Sequence, residues 1–241
     1  MNTFYLSPEL WKAPYILDSQ ESRHLAQVLR IGIGENIRIT DGQGREGIFT
    51  VSEIQKKRVI LEPKEEARHP EPKSKAIIAL AFSKAVRRGF FLEKAAELGA
   101  HGVWIWQADH SQGRLAPDLA DNICGQMIAG MKQCGSTWLP QVRTFPKGIE
   151  TVIAAANDVD YRILPWECQQ GIPMLTPEMT GLTGTSLYVI GPEGGFSERE
   201  IQLLTNADFK AVSFGQRILR CETAATLCLG IHWWASQQPG R

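Results

Sequence analysis

The sequence predicts an α/β protein in which a small β-rich domain precedes a larger domain built on a mainly parallel sheet. Two patterns predict this order. Up to residue 61, short runs alternate apolar and polar residues between glycine-rich turns, as half-buried strands do. From residue 76, short apolar strands are interleaved with helical segments, which is typical of a parallel sheet covered on both faces.

The segment between the two patterns, residues 62–75 (EPKEEARHPEPKSK), holds three prolines and alternating charges, which predicts an exposed linker. We therefore expect one domain over residues 1–70 and another over residues 73–241. In the first domain the patterns predict a helix over 18–29 and strands over 36–40, 47–51 and 58–61. In the second they predict strands over 76–82, 103–106, 161–164, 187–190 and 211–214, and helices over 90–98, 118–134 and 223–234.

The predicted final helix has a continuous apolar face. Its members, at helical spacing, are Ala224, Leu227, Cys228, Ile231 and Trp234. Such a face can pack on the protein's own core or on a second copy of the chain, and periodicity does not separate the two.

Composition excludes several classes of protein. The chain has 26 Lys plus Arg and 26 Asp plus Glu, so bulk charge does not indicate a nucleic-acid partner. Its longest apolar run, residues 76–82, is far shorter than the roughly 20 residues of a transmembrane helix. Five cysteines without a C-x-x-C pair indicate free thiols in a reducing compartment. Since no secretory signal is visible either, we expect a cytoplasmic protein with no metal site and no membrane contact.

One glycine motif matches a dinucleotide fingerprint in form only. Gly42, Gly44 and Gly47 satisfy G-x-G-x-x-G, but that motif needs a following helix whose N-terminal amides meet the phosphates. Here a strand follows, so the segment predicts a hairpin turn in which glycines supply positive φ. A nucleotide-dependent enzyme that uses Gly44 is a further alternative.

The strongest local feature is residues 187–201, LYVIGPEGGFSEREI. An apolar strand ends in a glycine loop, and Ser197 and Glu200 then form an S-x-x-E capping box that predicts a helix start. Ligands bind at the carboxyl edge of such sheets, where glycines let backbone groups reach them. A tight crossover turn without a ligand would also explain the glycines.

A second strand also ends in a glycine, in residues 211–225, AVSFGQRILRCETAA. The loop after Gly215 carries Arg217, Arg220 and Glu222 ahead of an apolar helix. A helix dipole explains Glu222 in the first turn but not both arginines. Two glycine-ended strands that feed charged loops predict a shared crevice.

Both glycine motifs, GPEGG-F-S-x-x-E and G-x-R-I-L-R-x-E-T-A, resemble the RsmE family of bacterial ribosomal RNA uridine-N3 methyltransferases, in the SPOUT superfamily. The resemblance extends over the whole chain. Further similar segments are HLAQVLR at 24–30, ITDGQG at 39–44, EKAAELGA at 93–100 and QCG at 133–135.

The resemblance implies a SPOUT-type parallel sheet with a C-terminal trefoil knot, preceded by a small PUA-like β-barrel domain that binds RNA. It implies S-adenosyl-L-methionine as cofactor and N3-methylation of a uridine in 16S ribosomal RNA, either as naked RNA or in the assembled small subunit. It also implies a homodimer in the cytoplasm that does not act on DNA.

The resemblance also implies site residues. Arg220 would stabilise charge on the uracil oxygens, and Glu222 would orient Arg220 or accept the N3 proton. The residues expected to bind the cofactor are Leu164, Gly191, Glu193, Gly194, Gly195, Gly215, Ile218, Leu219 and Thr223. The residues expected to meet RNA phosphates are Arg23, Arg30, Lys84 and Arg87, each of which could instead be a solvated surface charge.

The sequence departs from the family outside the two glycine motifs. Asn2 and Thr3 stand where the family has an N-terminal arginine, and Ala108 and His110 where many members have Ser-x-Arg. A Glu-Gln-x-x-Arg segment is replaced by one containing Lys132, Gln133 and Ser136. The alternative function is therefore a knotted RNA-binding protein that has lost or changed its methyl transfer. The target nucleotide and the acceptor of the N3 proton stay open.

Overall fold

The computed structural model describes residues 1–55, 58–83, 85–166, 171–180 and 183–237. The chain divides into two compact units. The first comprises Met1–Glu71 and Ile128–Leu139, and the second comprises Pro72–Met127 and Pro140–Arg241. The first unit is thus discontinuous in sequence, because residues 128–139 come from within the expected second domain.

The first unit is built on a five-stranded sheet. Its elements are β1 (Thr3–Tyr5), β2 (Tyr15–Ile16), helix α1 (Ser19–Arg23), β3 (Asn36–Thr40), β4 (Arg45–Gln55) and β5 (Arg58–Arg68). The strand order is β1-β3-β4-β5-β2, with β1 parallel to β3 and the other pairs antiparallel. Phe4, Leu25, Ile39 and Phe49 are fully buried in its core.

Residues 128–139 belong to this unit because they are tied to its strands and to its helix. Lys132 Nζ donates to Glu21 Oε1 at 2.5 Å. Arg38 donates to the carbonyl of Gly135 at 3.0 Å. In addition, the β3–β4 turn donates from the N–H of Gly44 to Thr137 O at 2.9 Å.

The predicted hairpin turn at Gly42 and Gly44 is confirmed. Both glycines have positive φ, 70° and 85°, and they join the antiparallel strands β3 and β4. A strand, not a helix, follows them, so this loop does not have the geometry of a dinucleotide-binding turn.

The predicted linker over residues 62–75 is wrong in its first half, because β5 continues to Arg68. Its neighbour β2 pairs only with Ile60 and Leu61, so from Glu62 onward β5 is an edge strand with exposed side chains. Edge strands tolerate charge and proline, and Pro63 lies at a register shift against β4. The same composition therefore suits an exposed strand and a linker.

The second unit is built on a six-stranded sheet. Its strands are β6 (Ser74–Ala81), β7 (Gly102–Trp106), β8 (Gln141–Phe145), β9 (Tyr161–Pro165), β10 (Gly184–Ile190) and β11 (Lys210–Val212). Its helices are α2 (Ala85–Glu97), α3 (Leu119–Cys134), which extends into the first unit, α4 (Ile149–Ala155), α5 (Glu198–Asn206) and α6 (Cys221–Ser236). All the strand pairs are parallel, in the order β11-β9-β10-β6-β7-β8, which confirms the predicted α/β class.

Helices cover both faces of this sheet. On one face, Ile149 and Val152 of α4 and Leu204 of α5 pack on alternate residues of the central strands. On the other, α6 packs against α2, β6 and β10. The predicted apolar face of α6 is only partly the buried one: Cys228 is buried, whereas Leu227 and Trp234 are exposed. Because α6 is apolar on both sides, the periodicity of the sequence did not separate its buried face from its exposed face.

The strand order places three strand ends together. The chain enters the sheet at β6, runs outward through β7 and β8, and then returns so that β10 pairs with the other side of β6. Strands β9, β10 and β11 therefore end side by side at the point where the strand order reverses. Open parallel sheets bind their ligands at such a point.

Among the described residues, no helix has the length and apolar character that crossing a bilayer requires. Nor do these residues include a group of three or more His, Cys, Asp or Glu side chains suited to hold a metal ion.

Candidate active site

The loop that follows β10 turns sharply back into α5. Gly195 has φ of 74°, and its N–H donates to the carbonyl of Pro192 at 2.9 Å. The predicted capping box is confirmed, since Ser197 Oγ accepts from the N–H of Glu200 and Glu200 Oε2 accepts from the N–H of Ser197. Helix α5 is thereby fixed directly behind the glycine loop.

The loop that follows β11 forms a second turn. Gly215 has φ of 93°, and its N–H donates to Ser213 Oγ at 3.0 Å. Arg220 is the N-cap residue of α6 but makes no side-chain capping bond. A guanidinium has no acceptor atom for the N–H groups at a helix start, so this arginine does not serve as a cap.

The two loops meet in one crevice, as the sequence predicts. They line a cavity of about 280 Å³ together with the end of β9. Its wall consists of Pro165, Ile190, Gly191, Pro192, Glu193, Gly195, Phe196, Ile218, Leu219, Arg220, Cys221 and Ala224. A smaller adjoining space is lined by Pro165, Trp166, Phe214, Gly215, Arg217, Leu219 and Ala224.

Most of the expected cofactor residues lie on these walls. Those that line the larger cavity are Gly191, Glu193, Gly195, Ile218, Leu219 and, of the expected catalytic pair, Arg220. Gly215 lines the adjoining space. Four expected residues line neither space: Leu164, Gly194, Glu222 and Thr223. Leu164 is buried in the core of the sheet and Thr223 is exposed on α6.

Sequence reasoning missed several wall residues. Pro165 directly follows Leu164, and Cys221 and Ala224 lie on the first turn of α6. Successive side chains along a strand point to opposite faces, and successive side chains around a helix point in different directions. The sequence neighbours of the expected residues could therefore have been identified as candidates that point into the crevice.

A third loop, between β7 and α3, is hydrogen-bonded to the glycine loop. The N–H of Asp109 donates to Glu200 Oε1 at 2.8 Å, and Asp109 Oδ2 accepts from Ser197 Oγ at 2.6 Å. His110 Nδ1 lies 3.2 Å from the carbonyl oxygen of Gly195, so this nitrogen is the donor. A Cβ on Gly194 would lie 3.0 Å from His110 Cβ. These residues are about 90 positions apart, so no local pattern could show the contact.

Comparison with known proteins identifies the family. A family profile described as "RNA methyltransferase domain" matches residues 69–233, and one described as "RNA methyltransferase PUA domain" matches residues 17–64. The chain belongs to the RNA methyltransferase family. The resemblance predicted from the glycine motifs is thereby confirmed, and the first unit carries the PUA-like domain.

Relatives of this RNA methyltransferase cover nearly its whole length. The Bacillus subtilis protein named ribosomal RNA small subunit methyltransferase E is 27% identical over 234 residues, which are 92% of this chain and 90% of the relative. The Neisseria gonorrhoeae protein of the same name, solved bound to S-adenosyl methionine, is 26% identical with a TM-score of 0.81, over 95% of each chain. A probable rRNA-methyltransferase from Porphyromonas gingivalis is 28% identical with a TM-score of 0.83, over 96% of this chain and 97% of that one.

The cavity of the methyltransferase contains a thiol that stays protonated. Burial, together with the hydrogen bond to Glu222, raises the pKa of Cys221 to about 12. Cys221 Sγ donates to Glu222 Oε2 at 3.3 Å, and the Glu222 residue is only 8% exposed. A thiol is a nucleophile only as a thiolate, so the site does not present Cys221 for covalent catalysis.

The four expected RNA contacts lie apart in the chain. Arg23 and Arg30 are exposed in the first unit. Lys84 lies outside the described residues, and Arg87 belongs to α2 but its side chain is not described. The structure thus describes only the first two of these side chains.

Proposed function

We propose that this chain is an S-adenosyl-L-methionine-dependent methyltransferase that acts on N3 of a uridine in small-subunit ribosomal RNA. The observation that carries the proposal is the crevice formed by two glycine loops with Arg220 on its wall. Relatives named for methylation of this RNA, one of them solved with S-adenosyl methionine, support it.

The crevice suits a ligand that approaches backbone groups. A Cβ added to Gly195 or to Gly215 would meet no atom within 4 Å, so open space lies beside both glycines. At Gly191, by contrast, the ring of Phe196 fills the corresponding space at 2.8 Å. The backbone at Gly195 and Gly215 and the side chains of Ile218 and Leu219 would hold the cofactor. When bound, that cofactor supplies an electrophilic methyl group on a positively charged sulfur.

The residues of the chain would then handle the uracil. N3 is nucleophilic only when its proton is removed, and removal places negative charge on the adjacent carbonyl oxygens. Arg220, a permanent cation, would stabilise that charge. Glu222 accepts a hydrogen bond from Cys221 and lies off the cavity wall, which favours the role of orienting Arg220 over that of proton acceptor.

The proposal includes three further features of the family. The last helix α6 returns from the edge strand β11 to pack on the central strands β6 and β10, a course that fits a knotted SPOUT-type C-terminus. Leu227 and Trp234 are 38% and 54% exposed on α6, which fits a homodimer through this helix. A cytoplasmic location, where ribosomal subunits are made, accords with the substrate.

We also propose a division of labour in which residues 1–70 bind RNA and residues 73–241 bind the cofactor. Arg23 and Arg30 would contact RNA phosphates, whereas the cavity is lined by residues of the second unit alone. Point variants test this division better than truncation does. Removing residues 1–70 would take away Glu21 and Arg38, to which residues 128–139 are bonded.

Transfer of tritiated methyl groups from the cofactor tests the proposal. The full-length protein would be incubated with naked 16S RNA and with small subunits, both from a strain that lacks this enzyme, and the labelled nucleotide would be mapped. We expect one N3-methyluridine. Cofactor binding without transfer to either substrate would instead favour the RNA-binding protein that has lost catalysis.

A further inference from the structure

Within the described residues, four helical segments end in the same left-handed motif. In each, one residue has positive φ and the next residue donates its N–H back to a carbonyl five or six positions earlier, as in a Schellman cap. The left-handed residues are Gly99 after α2, Gly135 after α3, Asp208 after α5 and Arg30 after the π-helical segment His24–Val28 that follows α1. The donors that follow them are Ala100, Ser136, Phe209 and Ile31.

Arg30 is the exceptional residue among the four. Glycine adopts a left-handed φ without steric cost, and aspartate tolerates it through local hydrogen bonds. Arginine has neither property, yet Arg30 has φ of 55°. Residues held in such conformations cluster at active sites and ligand-binding sites.

The Arg30 side chain is also available for binding. It is exposed, and its guanidinium makes no hydrogen bond or ion pair with the residues that the structure describes. Three other cations of the same unit are neutralised: Arg38 by Glu46, Arg45 by Asp41 and Lys132 by Glu21. The nearby Glu35 carboxylate accepts from the N–H of Gly32 at 2.7 Å.

Exposed apolar side chains accompany this arginine in the sequence. Val28 and Ile33 are 64% and 65% exposed, and Leu29 is 38% exposed. Within the same stretch Leu25 and Ile31 are buried, so the exposed residues are not needed for the core. We call residues Val28, Leu29, Arg30 and Ile33 the helix-end patch.

We propose that the helix-end patch binds unpaired nucleotides of the RNA substrate. A paired RNA helix presents phosphates and hydroxyls, which offer nothing to Val28 or Ile33. Unpaired bases expose apolar faces that stack on guanidinium planes and apolar side chains, while their phosphates match the positive charge. The patch lies within residues 17–64, the range of the RNA methyltransferase PUA match. The inference rests on the proposed function for the identity of the ligand as RNA.

The variant Arg30→Gly separates strain from binding. Glycine suits the left-handed position better, so urea unfolding of the full-length protein should show a higher midpoint than that of wild type. Asp208→Gly is the matched control, because it makes the same replacement in the same motif on another helix. If Arg30→Gly lowered the midpoint, the argument from strain would be wrong.

Binding would be measured by fluorescence anisotropy with two labelled RNAs of equal length, an unstructured strand and a fully paired hairpin. Arg30→Gly should raise the Kd for the unstructured strand by about tenfold, whereas its effect on the paired RNA should stay near twofold, and Asp208→Gly should change neither. Arg30→Lys keeps the positive charge but lacks the planar guanidinium group on which bases stack, so it should restore little of the affinity. Equal losses on both RNAs would show a phosphate contact only, and no loss would remove the patch from the RNA interface.

A second variant makes the test independent of Arg30. Val28→Ser combined with Ile33→Ser removes the exposed apolar groups and should likewise weaken only the unstructured strand. Methyl transfer is assayed in parallel to separate the two proposals. If the wild-type protein bound RNA but transferred no methyl group, the proposed function would be wrong. If the wild-type protein were active, and Arg30→Gly and the serine pair bound and methylated RNA equally well, only the proposal for the helix-end patch would be wrong.

Discussion

The N–H of Asp109 donates a 2.8 Å hydrogen bond to Oε1 of Glu200, a carboxylate that is 0% exposed. The other oxygen of Glu200 accepts from the N–H of Ser197 at 2.8 Å. One buried carboxylate thus satisfies backbone donors of two loops that are far apart in sequence. It joins the loop after β7 to the glycine loop at the cavity.

Replacing Glu200 by glutamine should therefore destabilise the protein. The amide offers only one acceptor oxygen, so one buried N–H would face an N–H₂ group. We expect a loss of about 1–3 kcal/mol in the free energy of unfolding, measured by urea denaturation. Glu198→Gln, on the exposed side of the same first turn, serves as control and should change little. Equal effects of the two variants would contradict this account.

Gly195 and Gly99 form a matched pair that separates strain from ligand approach. Their φ values are 74° and 66°, and a Cβ on either would meet no atom within 4 Å. Alanine at either position should cost about 1 kcal/mol through left-handed strain. Only Gly195→Ala should also weaken the binding of S-adenosylmethionine, because only Gly195 lines the cavity. Calorimetry that gave wild-type affinity for a folded Gly195→Ala protein would remove the glycine loop from the site.

Arg220→Ala should reduce turnover much more than cofactor affinity. A charge that acts on the developing negative charge of the uracil contributes mainly in the transition state. We expect a fall in kcat of about 10²–10³-fold, with the affinity for the cofactor nearly unchanged. Single-turnover transfer measures the first quantity and calorimetry the second. Arg220→Lys should recover part of the rate, and wild-type transfer by Arg220→Ala would make this residue an ordinary surface charge.

His232 should make the stability of the fold depend on pH. It is 5% exposed on α6, with Nε2 2.9 Å from Ser74 Oγ and Nδ1 3.1 Å from the Tyr188 hydroxyl. Burial lowers its pKa from the usual 6.5 to about 4. The unfolded chain therefore binds a proton that the folded chain excludes between these two values. Stability is fully present above pH 6.5 and is lost as pH falls toward 4, by about 3 kcal/mol for this group alone.

Urea titrations between pH 4 and pH 7 measure this dependence. His232→Gln should flatten the decline on the acid side, although it also lowers stability at neutral pH. His110→Gln, at an exposed histidine, should leave the decline as in wild type. If His232→Gln and wild type lost stability in parallel, other groups would account for the acid sensitivity.

The exposed apolar side chains of α6 test the proposed dimer. Leu227→Asp places a charge where a second copy would pack, so sedimentation should show a shift from dimer to monomer. Met174→Asp makes the same kind of change at a residue that is 60% exposed outside α6 and should leave the assembly unchanged. A wild-type protein that sediments as a monomer would contradict the dimer directly.

Local patterns in the sequence determined much of this protein. Period-two runs and apolar strands predicted β3, β6, β7 and β10 to within a few residues, because backbone hydrogen bonding and burial act over short stretches. The capping box at Ser197 and Glu200 predicted the start of α5 for the same reason. Short elements were missed: β8, in which only Phe145 is buried, and α4, whose two turns give too few residues for a periodic signal.

Tertiary structure alone decided which of these pieces meet. Residues 128–139 pack with the first unit because Lys132 pairs with Glu21, over a separation of 111 positions. A charged edge strand and a charged linker have similar amino-acid compositions. Only the pairing of β5 with β4 therefore showed that residues 62–68 form a strand. The crevice forms because the strand order reverses beside β10, which brings the loops after β10 and β11 together. A sequence specifies which loops are rich in glycine, whereas the distance between two loops depends on the pairing of strands that are remote in the chain.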